Sequence, residues 1–579
     1  MVALVDVRRW DAAGIESAFT GLGIARDRLL TVDAELAASR PPETWRSDAA
    51  DLARAQQERL AERLRRVTSG VAALRPSVAE STDAVVALRR DLDQADAMAT
   101  ARGFTLAPDG TVTDVRQTVV PLDQVDAYTQ QRTAEQAEIL AILDGVLRRA
   151  AEIDGALADL LARAAAEQID DGTGTSLVGA AVTGLSAAVL DLPAPPATGT
   201  PADSDRWWDG LSAVERERVV AEHPEWVGNR DGIPAAARDD ANRTLLRTET
   251  ARLDRELADA TTRWQTALDV PLPPGMEGQG ETRDQLALRG EVERLREQRA
   301  ALGAVATTLE EGQDRRLLLL DLSSGAEPRA AVAVGDVDTA DHVAVFTPGF
   351  TTTVAGSLGN YTDDMAGVRE TAQAQLFDAG RAGETVASVA WLGYDAPQWD
   401  TVGNLDQSVA TDAAAQQGGA GLARFLDGVD ASRDTDQHLT ALGHSYGSTT
   451  TGHALQQATG VDDAVLFGSP GASTDTLTDL RVPPGHVGVL EARQDAVADL
   501  GSFGGDTNQL DGVTNLSARE ETAPDGTPLR ESVGHSDYLA PGTTSQHNIA
   551  ATVAGLHDQR VTGDNDGLGD ALRWGWDAS

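Results

Sequence analysis

The chain has 579 residues, a formal net charge of −43, 41% hydrophobic and 24% charged residues, and no cysteine. Its length predicts about two to four domains, and its composition is that of a globular protein rather than a disordered one. The lack of cysteine excludes disulfides, thiolate metal sites and cysteine nucleophiles. Because so acidic a surface repels phosphates, we expect neither nucleic acid nor an anionic membrane surface as a partner.

The N-terminus and the hydropathy pattern indicate a cytoplasmic protein. Residues 1–10 lack a basic stretch followed by an apolar core, so they predict no Sec signal peptide. No apolar run reaches the roughly 18–20 residues that a membrane helix needs, so we expect no transmembrane segment. Every basic side chain is an arginine, which is typical of a GC-rich genome, with an acidic surface adapted to salt as the alternative.

Residues 1–170 have the apolar spacing of long helices. Between Trp45 and Thr100, and again over 121–169, apolar side chains recur three or four residues apart. The intervening residues 104–113 carry a Pro-Asp-Gly turn signal between short alternating runs, which predicts a small hairpin. We therefore expect an elongated antiparallel helical hairpin or bundle, whose charged face is solvated or docks a partner.

Two segments follow the helical region. Residues 171–203, rich in Gly, Pro, Thr and Ala, break the helical period and predict a linker. Residues 204–315 predict a helical connecting segment that contains a Trp-Trp pair, a His-Pro-Glu triplet and a Gly-Asn-Arg-Asp-Gly-Ile-Pro motif, in which residues 229–234 predict a tight loop. Ser212, followed three residues later by Glu215, predicts a capping box at the start of a short helix.

Residues 316–579 have a different pattern, in which short apolar strands alternate with helices. Seven strands are predicted, at 317–320, 330–334, 343–346, 386–390, 439–442, 464–467 and 487–490. From the third strand onward helices separate most neighbours, which predicts βαβ units and a mostly parallel sheet flanked by helices. The first two strands are joined by a short turn, so we expect them to pair in antiparallel fashion.

The pentapeptide Gly443-His444-Ser445-Tyr446-Gly447 lies between a predicted strand and a predicted helix. At such a junction the Gly-x-Ser-x-Gly pattern permits a sharp, strained turn that exposes the serine hydroxyl, because the glycines let strand and helix approach closely. Backbone N–H groups at the helix start favour a developing oxyanion. A Gly-Ser loop without chemistry is the alternative, but the strand before and the helix after favour Ser445 as a nucleophile.

The general base in this arrangement is a histidine that follows the nucleophile in sequence and lies in a loop after the last strand. His535 follows a long irregular segment and precedes a predicted terminal helix, so we predict that it is the base; an exposed loop histidine is the alternative. The other downstream histidines fall on helices or at the wrong end of a strand: His453, His486, His547 and His557.

The orienting acid is expected just after the strand at 487–490. Asp495 lies a few residues past that strand, where a loop carboxylate can reach an imidazole Nδ1, and Asp499 and Glu491 are the alternatives.

The oxyanion hole is expected from two backbone positions. One donor is the N–H of Tyr446, directly after the nucleophile, and the other is the N–H of Phe350 or Gly349 in the loop after the third strand. A plain strand-to-helix turn is compatible with the same loop residues.

Four short segments in the second half of the chain together form a known pattern: Thr-Pro-Gly-Phe at 347–350, Gly-His-Ser-Tyr-Gly-Ser at 443–448, Glu-Ala-Arg-Gln-Asp-Ala-Val-Ala at 491–498 and Gly-His-Ser-Asp-Tyr-Leu at 534–539. From about Trp207 to the C-terminus the chain resembles the actinobacterial α/β-hydrolase family called domain of unknown function 1023. The resemblance implies an α/β-hydrolase fold and a Ser–His–Asp triad, and it does not specify a substrate.

The N-terminal helices are more faintly similar to the WXG-type helical hairpins of type VII (ESX-like) secretion substrates. The Trp-x-Gly of that family falls at Trp45-Arg46-Ser47, where the glycine is missing. The export signature is also absent, because none of the five tyrosines has an acidic residue four positions later. Type VII secretion therefore has no export motif to support it.

The sequence thus predicts an α/β protein in which a helical N-terminal region precedes an α/β-hydrolase domain at 316–579. The expected function is that of a serine hydrolase that acts on an acyl ester or thioester of a small molecule, with no cofactor and no metal. The alternative is an interaction protein whose helical region docks a secretion or envelope partner, or associates with itself, while the hydrolase domain is a scaffold.

Overall fold

The computed structural model describes most of the chain between residues 2 and 563. The positions outside this description are 40, 43, 117, 119, 120, 122–124, 170–179, 181–191, 271–280, 326, 399–411, 434, 496, 499–502, 504 and 506. Most of the predicted linker at 171–203 therefore lies outside the described residues. Contacts divide the chain into two units, one formed by Met1–Pro195 with Arg206–Arg218 and the other by Pro196–Asp205 with Val219–Ser579.

The first unit is built from helices. Their bounds are α1 Leu4–Val7, α2 Ala12–Ala38, α3 Asp48–Arg102 and α4 Val125–Ala165, and a two-stranded antiparallel hairpin, β1 Phe104–Leu106 and β2 Val112–Asp114, confirms the predicted turn. Helix α3 packs against both α2 and α4. Buried Leu88 and Leu92 of α3 meet Ile139 and Leu143 of α4 in one apolar core, which is the physical basis of the helical spacing in the sequence.

Two short helices follow, α5 Pro201–Asp209 and α6 Ala213–Glu222. The predicted capping box at the start of α6 is confirmed, because the Ser212 N–H donates to Glu215 Oε2 at 2.9 Å and the Glu215 N–H donates to Ser212 Oγ at 3.3 Å. These two bonds satisfy N–H groups that a helix start leaves without intrahelical partners.

The second unit is an α/β sandwich. Its helices are α7 Pro224–Val227, α8 Ala235–Leu268, α9 Arg283–Glu310, α10 Val354–Asp378, α11 Ala413–Ala431, α12 Tyr446–Leu455 and α13 Thr544–Val553. Its sheet strands are β3 Arg315–Asp321, β4 Arg329–Val334, β5 His342–Thr347, β6 Val386–Leu392, β7 His438–His444, β8 Asp463–Phe467, β9 Val487–Leu490 and β10 Thr514–Leu516, and a separate ribbon pairs β11 Glu521–Thr522 with β12 Pro528–Leu529. No helix within the described part of either unit is long and apolar enough to cross a bilayer.

Among the described residues the sheet has eight strands, in the order β10-β9-β8-β7-β5-β6-β4-β3. Neighbours from β10 to β6 pair in parallel, and β4 is antiparallel to both β6 and β3. All seven predicted strands are confirmed, including the antiparallel first pair. The eighth strand, β10, was not predicted because it has three residues within an irregular segment and forms only by pairing with β9.

Helices cover both faces of the sheet. Side chains that alternate along β5 enter different cores, with Phe346 facing the core that contains α9, α10 and α13 and Val345 facing the core that contains α11 and α12. Each such fully buried apolar side chain stabilises the fold by about 1.5–3 kcal/mol. Because β7, β8 and β9 are parallel, the loops at their carboxyl ends meet at one edge of the sheet.

The Gly-Asn-Arg-Asp-Gly-Ile-Pro loop and the start of α8 bind the backbone of the edge strand β3. The Asn229 side chain donates to the Leu320 carbonyl at 2.7 Å and accepts the Leu320 N–H at 2.8 Å. Asp239 accepts the Leu317 N–H at 2.7 Å, and Asn242 donates to the Leu317 carbonyl at 3.0 Å. An unpaired sheet edge exposes backbone N–H and C=O groups and is a template for aggregation. The side chains of Asn229, Asp239 and Asn242 pair such groups on β3, so this segment has a structural role.

Candidate active site

Ser445 occupies the sharp turn between β7 and α12. Its backbone has φ 55° and ψ −133°, a conformation that costs a non-glycine residue about 1–3 kcal/mol. The turn is held by the Ser445 N–H, which donates to the Phe467 carbonyl at 3.0 Å, and by Ser448 Oγ, which donates to the Ser445 carbonyl at 2.6 Å. The strain is therefore maintained by strand β8 and by the first turn of α12, as expected for a functional turn.

Gly447 is required at this turn by the closeness of the neighbouring loop. A Cβ atom at position 447 would lie 2.2 Å from the Thr347 carbonyl oxygen and 2.6 Å from the Pro348 carbonyl oxygen. Both obstructing atoms belong to the backbone, so they cannot rotate away. The second glycine of Gly-x-Ser-x-Gly thus lets the start of α12 pack directly against the end of β5.

Three side chains predicted from the sequence come together at the carboxyl ends of the parallel strands. His535, in the loop before α13, lies with Nε2 2.8 Å from Ser445 Oγ. The other ring nitrogen, Nδ1, lies 2.8 Å from Asp495 Oδ1 and 2.9 Å from Oδ2, and Asp495 follows β9. A carboxylate that holds Nδ1–H leaves Nε2 free to accept the serine proton, which is the arrangement that activates a serine hydroxyl.

Asp495 is held as a carboxylate by its surroundings. It is 3% exposed, accepts the Tyr538 hydroxyl proton at 2.7 Å and accepts the Val497 N–H at 3.0 Å. Burial by itself raises the pKa of Asp495, but the hydrogen bonds from His535 and Tyr538 outweigh it and leave the pKa below its ordinary value. Asp495 is therefore ionised at neutral pH and keeps the proton of His535 on Nδ1.

His444, the residue before Ser445, supports the loop that carries His535. Its Nε2 donates to the His535 carbonyl at 2.7 Å, and its ring stacks on Phe467 with centroids 5.3 Å apart. Burial, followed by the nearby His535 ring, lowers the pKa of His444 to about 4. His444 is thus a neutral hydrogen-bond donor at neutral pH, and it adds no positive charge beside His535.

The loop after β5 lies against the Ser445 turn. A Cβ atom at Gly349 would lie 2.6 Å from Ser445 Cβ and 2.9 Å from the backbone nitrogen of Tyr446. The loop is fixed by the buried Tyr394, whose hydroxyl donates to the Pro348 carbonyl at 2.7 Å. Gly349 therefore lies against the Ser445–Tyr446 peptide, and the half-buried Phe350 follows it in the same loop.

Of the two alternative carboxylates, only Glu491 lies among the described residues. Glu491 accepts a hydrogen bond from Asn508 Nδ2 at 2.5 Å, and Asp499 lies outside the described residues. The other downstream histidines contact different partners: His453 lies 3.5 Å from Asp412, His486 and His557 lie beside Asp463, and His547 Nε2 lies 3.0 Å from the Gln559 carbonyl.

Sequence reasoning missed three residues that support the site. Tyr538 and His444 lie inside the motifs that contain His535 and Ser445, so their positions in those motifs were the available signal. Tyr394 had no such signal, because it follows β6 and meets the Pro348 loop only in the folded chain.

Comparison with known proteins identifies the family. A sequence model described as "Alpha/beta hydrolase" matches residues 325–505, and this family was formerly called domain of unknown function 1023, as the motifs predicted. The uncharacterized protein Rv0963c of Mycobacterium tuberculosis is 40% identical over 237 residues, which cover 39% of this chain and 85% of that protein. The uncharacterized protein Rv2079 of the same organism is 33% identical over 381 residues, 60% of this chain and 53% of that protein. The chain thus spans about half the length of Rv2079.

Solved structures give more distant matches. The dienelactone hydrolase from Anabaena variabilis is 12% identical with a TM-score of 0.26, over 43% of this chain and 99% of that one. The esterase from the archaeon Pyrobaculum calidifontis is 12% identical with a TM-score of 0.26, over 50% of this chain and 99% of that one. From the match over 325–505 and the relative covered over 85% of its length, the chain belongs to this family of α/β hydrolases.

Proposed function

We propose that the chain is a serine hydrolase that cleaves ester-type acyl bonds. The observation that carries this proposal is the continuous hydrogen-bonded series from Ser445 Oγ through both nitrogens of His535 to the ionised Asp495. The strained backbone of Ser445, which presents its hydroxyl to His535, supports the same assignment.

In the proposed reaction, Ser445 Oγ attacks the acyl carbon while its proton passes to Nε2 of His535. The resulting imidazolium gives this proton to the leaving alcohol, and an acyl ester of Ser445 remains. A water molecule then attacks the acyl carbon and transfers a proton to His535, so that the carboxylic acid is released and the Ser445 hydroxyl is restored. Asp495 remains a carboxylate throughout and stabilises the imidazolium.

The negative charge that develops on the acyl oxygen needs hydrogen-bond donors in place before the reaction. We assign this role to the N–H of Tyr446 and to an N–H of the Gly349-Phe350 loop, since Gly349 lies against the Tyr446 nitrogen. One such donor typically contributes about 3–4 kcal/mol of transition-state stabilisation. This chemistry needs neither a metal nor an organic cofactor, and the proposed substrate is a small-molecule acyl ester.

The proposal is tested with the full chain and a fluorophosphonate probe, which labels an activated serine. Wild type should be labelled and Ser445→Ala should not. Ser432→Ala is the matched control, because Ser432 directly follows α11 and its hydroxyl donates to the Val429 carbonyl. Hydrolysis of p-nitrophenyl esters of graded chain length then measures acyl preference. Equal labelling of wild type and Ser445→Ala would contradict the proposal.

A further inference from the structure

A cluster of histidines surrounds a buried carboxylate at the amino ends of β7, β8 and β9. Ser445 lies at the opposite, carboxyl ends of these strands. His438 and Asp463 begin the neighbouring parallel strands β7 and β8, and His486 immediately precedes β9. His557 joins them from the short helical turn His557–Gln559 that follows α13. Four separate segments of the chain therefore bring one carboxylate and three imidazoles to the same place, and the proposed hydrolysis uses none of them.

The distances within the cluster are short. Asp463 Oδ2 lies 2.8 Å from His438 Nε2 and 2.9 Å from His557 Nε2, and Asp463 Oδ1 lies 3.1 Å from His486 Nδ1. The ligand atoms of His438, Asp463 and His557 all lie within 4.8 Å of one another. His486 lies outside this group of three, and its Nδ1 contacts Asp463 Oδ1 at 3.1 Å. Four donors around a zinc ion at bond lengths of about 2.0–2.1 Å are separated by roughly 3.3 Å, so the imidazoles must move closer together to reach that geometry.

From this geometry we propose that His438, Asp463 and His557 bind one divalent transition-metal ion of the zinc type, with His486, which contacts Asp463, turning toward the ion as the fourth ligand. Three imidazoles and one carboxylate are a donor set that zinc accepts, and neutral imidazole also suits the neighbouring first-row metals. The chain contains no cysteine, so a zinc site in it must be built from nitrogen and oxygen ligands such as these.

Two further observations favour a metal over a simple network of hydrogen bonds. Asp463 has a relative exposure of 0%, and a carboxylate so fully removed from water requires strong compensation of its charge. His486 Nδ1 is itself buried and has no partner of hydrogen-bond geometry among the described residues, although it lies 3.1 Å from Asp463 Oδ1. The described residues therefore leave this nitrogen available to a ligand.

The neighbouring groups define the competing explanation. The Asp463 charge also acts on the guanidinium of Arg560, whose Nε donates to the His557 carbonyl at 3.3 Å. His342 belongs to another pair, with Nε2 2.8 Å from Glu384 Oε2. Without a metal, Asp463 would be balanced by the charge of Arg560 and by hydrogen bonds from His438 and His557. The two explanations differ in one measurable quantity, which is the metal content of the protein.

A four-ligand site of this kind is closed, so its role is structural. It would tie the turn after α13 to the amino ends of three parallel strands. Metal binding should therefore stabilise the folded chain, because the unfolded chain does not hold the four ligands together.

The test uses the full chain, produced without a polyhistidine tag, stripped with EDTA and dialysed against zinc chloride. We expect about one zinc per chain by elemental analysis and a Tm higher by roughly 5 °C or more, reversed by EDTA. Cobalt chloride should give the visible absorption of tetrahedral cobalt. Wild type that retains no metal, or whose Tm is the same with zinc and with EDTA, would overturn the proposal.

Variants separate this site from adventitious binding. His557→Gln and His486→Gln should each lose the bound zinc and the cobalt absorption while keeping the wild-type circular dichroism, since both side chains are about one-third exposed. His223→Gln is the matched control, because that imidazole pairs with Glu225 rather than with Asp463. Retention of about one zinc per chain by both His557→Gln and His486→Gln would assign the metal to other residues.

Discussion

The Tyr538 hydroxyl donates its proton to Asp495 Oδ2 at 2.7 Å, and its oxygen accepts the Ala492 N–H at 2.8 Å. One buried phenol thereby ties the carboxylate to the end of β9 and to the loop that carries His535. Burial, and then the Asp495 charge, raises the pKa of Tyr538 well above its ordinary value, so the hydroxyl stays protonated and remains a donor. Tyr538 is thus a positioning residue for Asp495.

Tyr538→Phe should slow fluorophosphonate labelling of Ser445 about 10-fold. The change removes one hydrogen bond to a charged carboxylate, worth about 1.5–3 kcal/mol, while the bonds from His535 and Val497 remain. The rate of labelling measures this loss independently of any substrate. An unchanged rate in a folded Tyr538→Phe protein would show that the phenol does not position Asp495.

Asp495→Asn should reduce the labelling rate by about 10³–10⁴-fold, because an amide no longer stabilises the imidazolium or holds the proton on Nδ1. Glu491→Gln is the matched comparison, since Glu491 precedes Asp495 in the same loop but bonds Asn508. Its rate should stay within about 3-fold of wild type. The reverse ranking of the two variants would assign the orienting acid to Glu491.

Gly349→Ala should lower kcat/KM by about 10²-fold or more on any ester that wild type hydrolyses. The new Cβ atom would lie 2.6 Å from Ser445 Cβ and 2.9 Å from the Tyr446 nitrogen, where the oxyanion is expected. Gly359→Ala within α10 is the control, because its Cβ meets Thr308 Oγ1 at 3.5 Å, an ordinary contact. Similar kcat/KM values for the two variants would argue against the proposed oxyanion hole.

The pH dependence of stability should change in His444→Gln. The folded-state pKa of His444 is about 4, below its ordinary value of 6.5, so the unfolded chain binds more protons between these pH values. The free energy of unfolding therefore falls as the pH is lowered through this window, by about 1.4 kcal/mol per unit. Between pH 6.5 and 5 wild type should lose about 1.6 kcal/mol that His444→Gln does not lose, because the slope is only half its full value at pH 6.5.

Urea unfolding followed by tryptophan fluorescence at pH 6.5 and pH 5 measures this difference. His223→Gln serves as the control, because it removes a more exposed imidazole, and it should follow wild type. The Asp495 contribution does not interfere: its pKa is lowered, so that contribution is lost only at still lower pH. Equal losses in wild type and His444→Gln would place the proton uptake on another group.

Local pattern was sufficient to predict much of the fold. The seven strands from 317–320 to 487–490 are short apolar runs, and their burial on both faces makes them recognisable without any tertiary information. The strand β10 was missed because Thr514–Leu516 has no apolar pattern of its own and becomes a strand only beside β9. The Asn229 loop was recognised as a motif, but its binding to the edge strand β3 depends on a partner 91 residues away.

The sequence by itself determined the kind of fold and the Ser445 turn, because periodicity and glycine spacing are local properties of the chain. Only the tertiary structure decided which side chains meet. His535 and Ser445 are 90 residues apart and Asp495 and His535 are 40 apart, and strand order brings them to one edge of the sheet. Parallel strands have all their amino ends on one side of the sheet and all their carboxyl ends on the other. The same strand order therefore brings His438, His486 and His557 close to Asp463 at the amino ends.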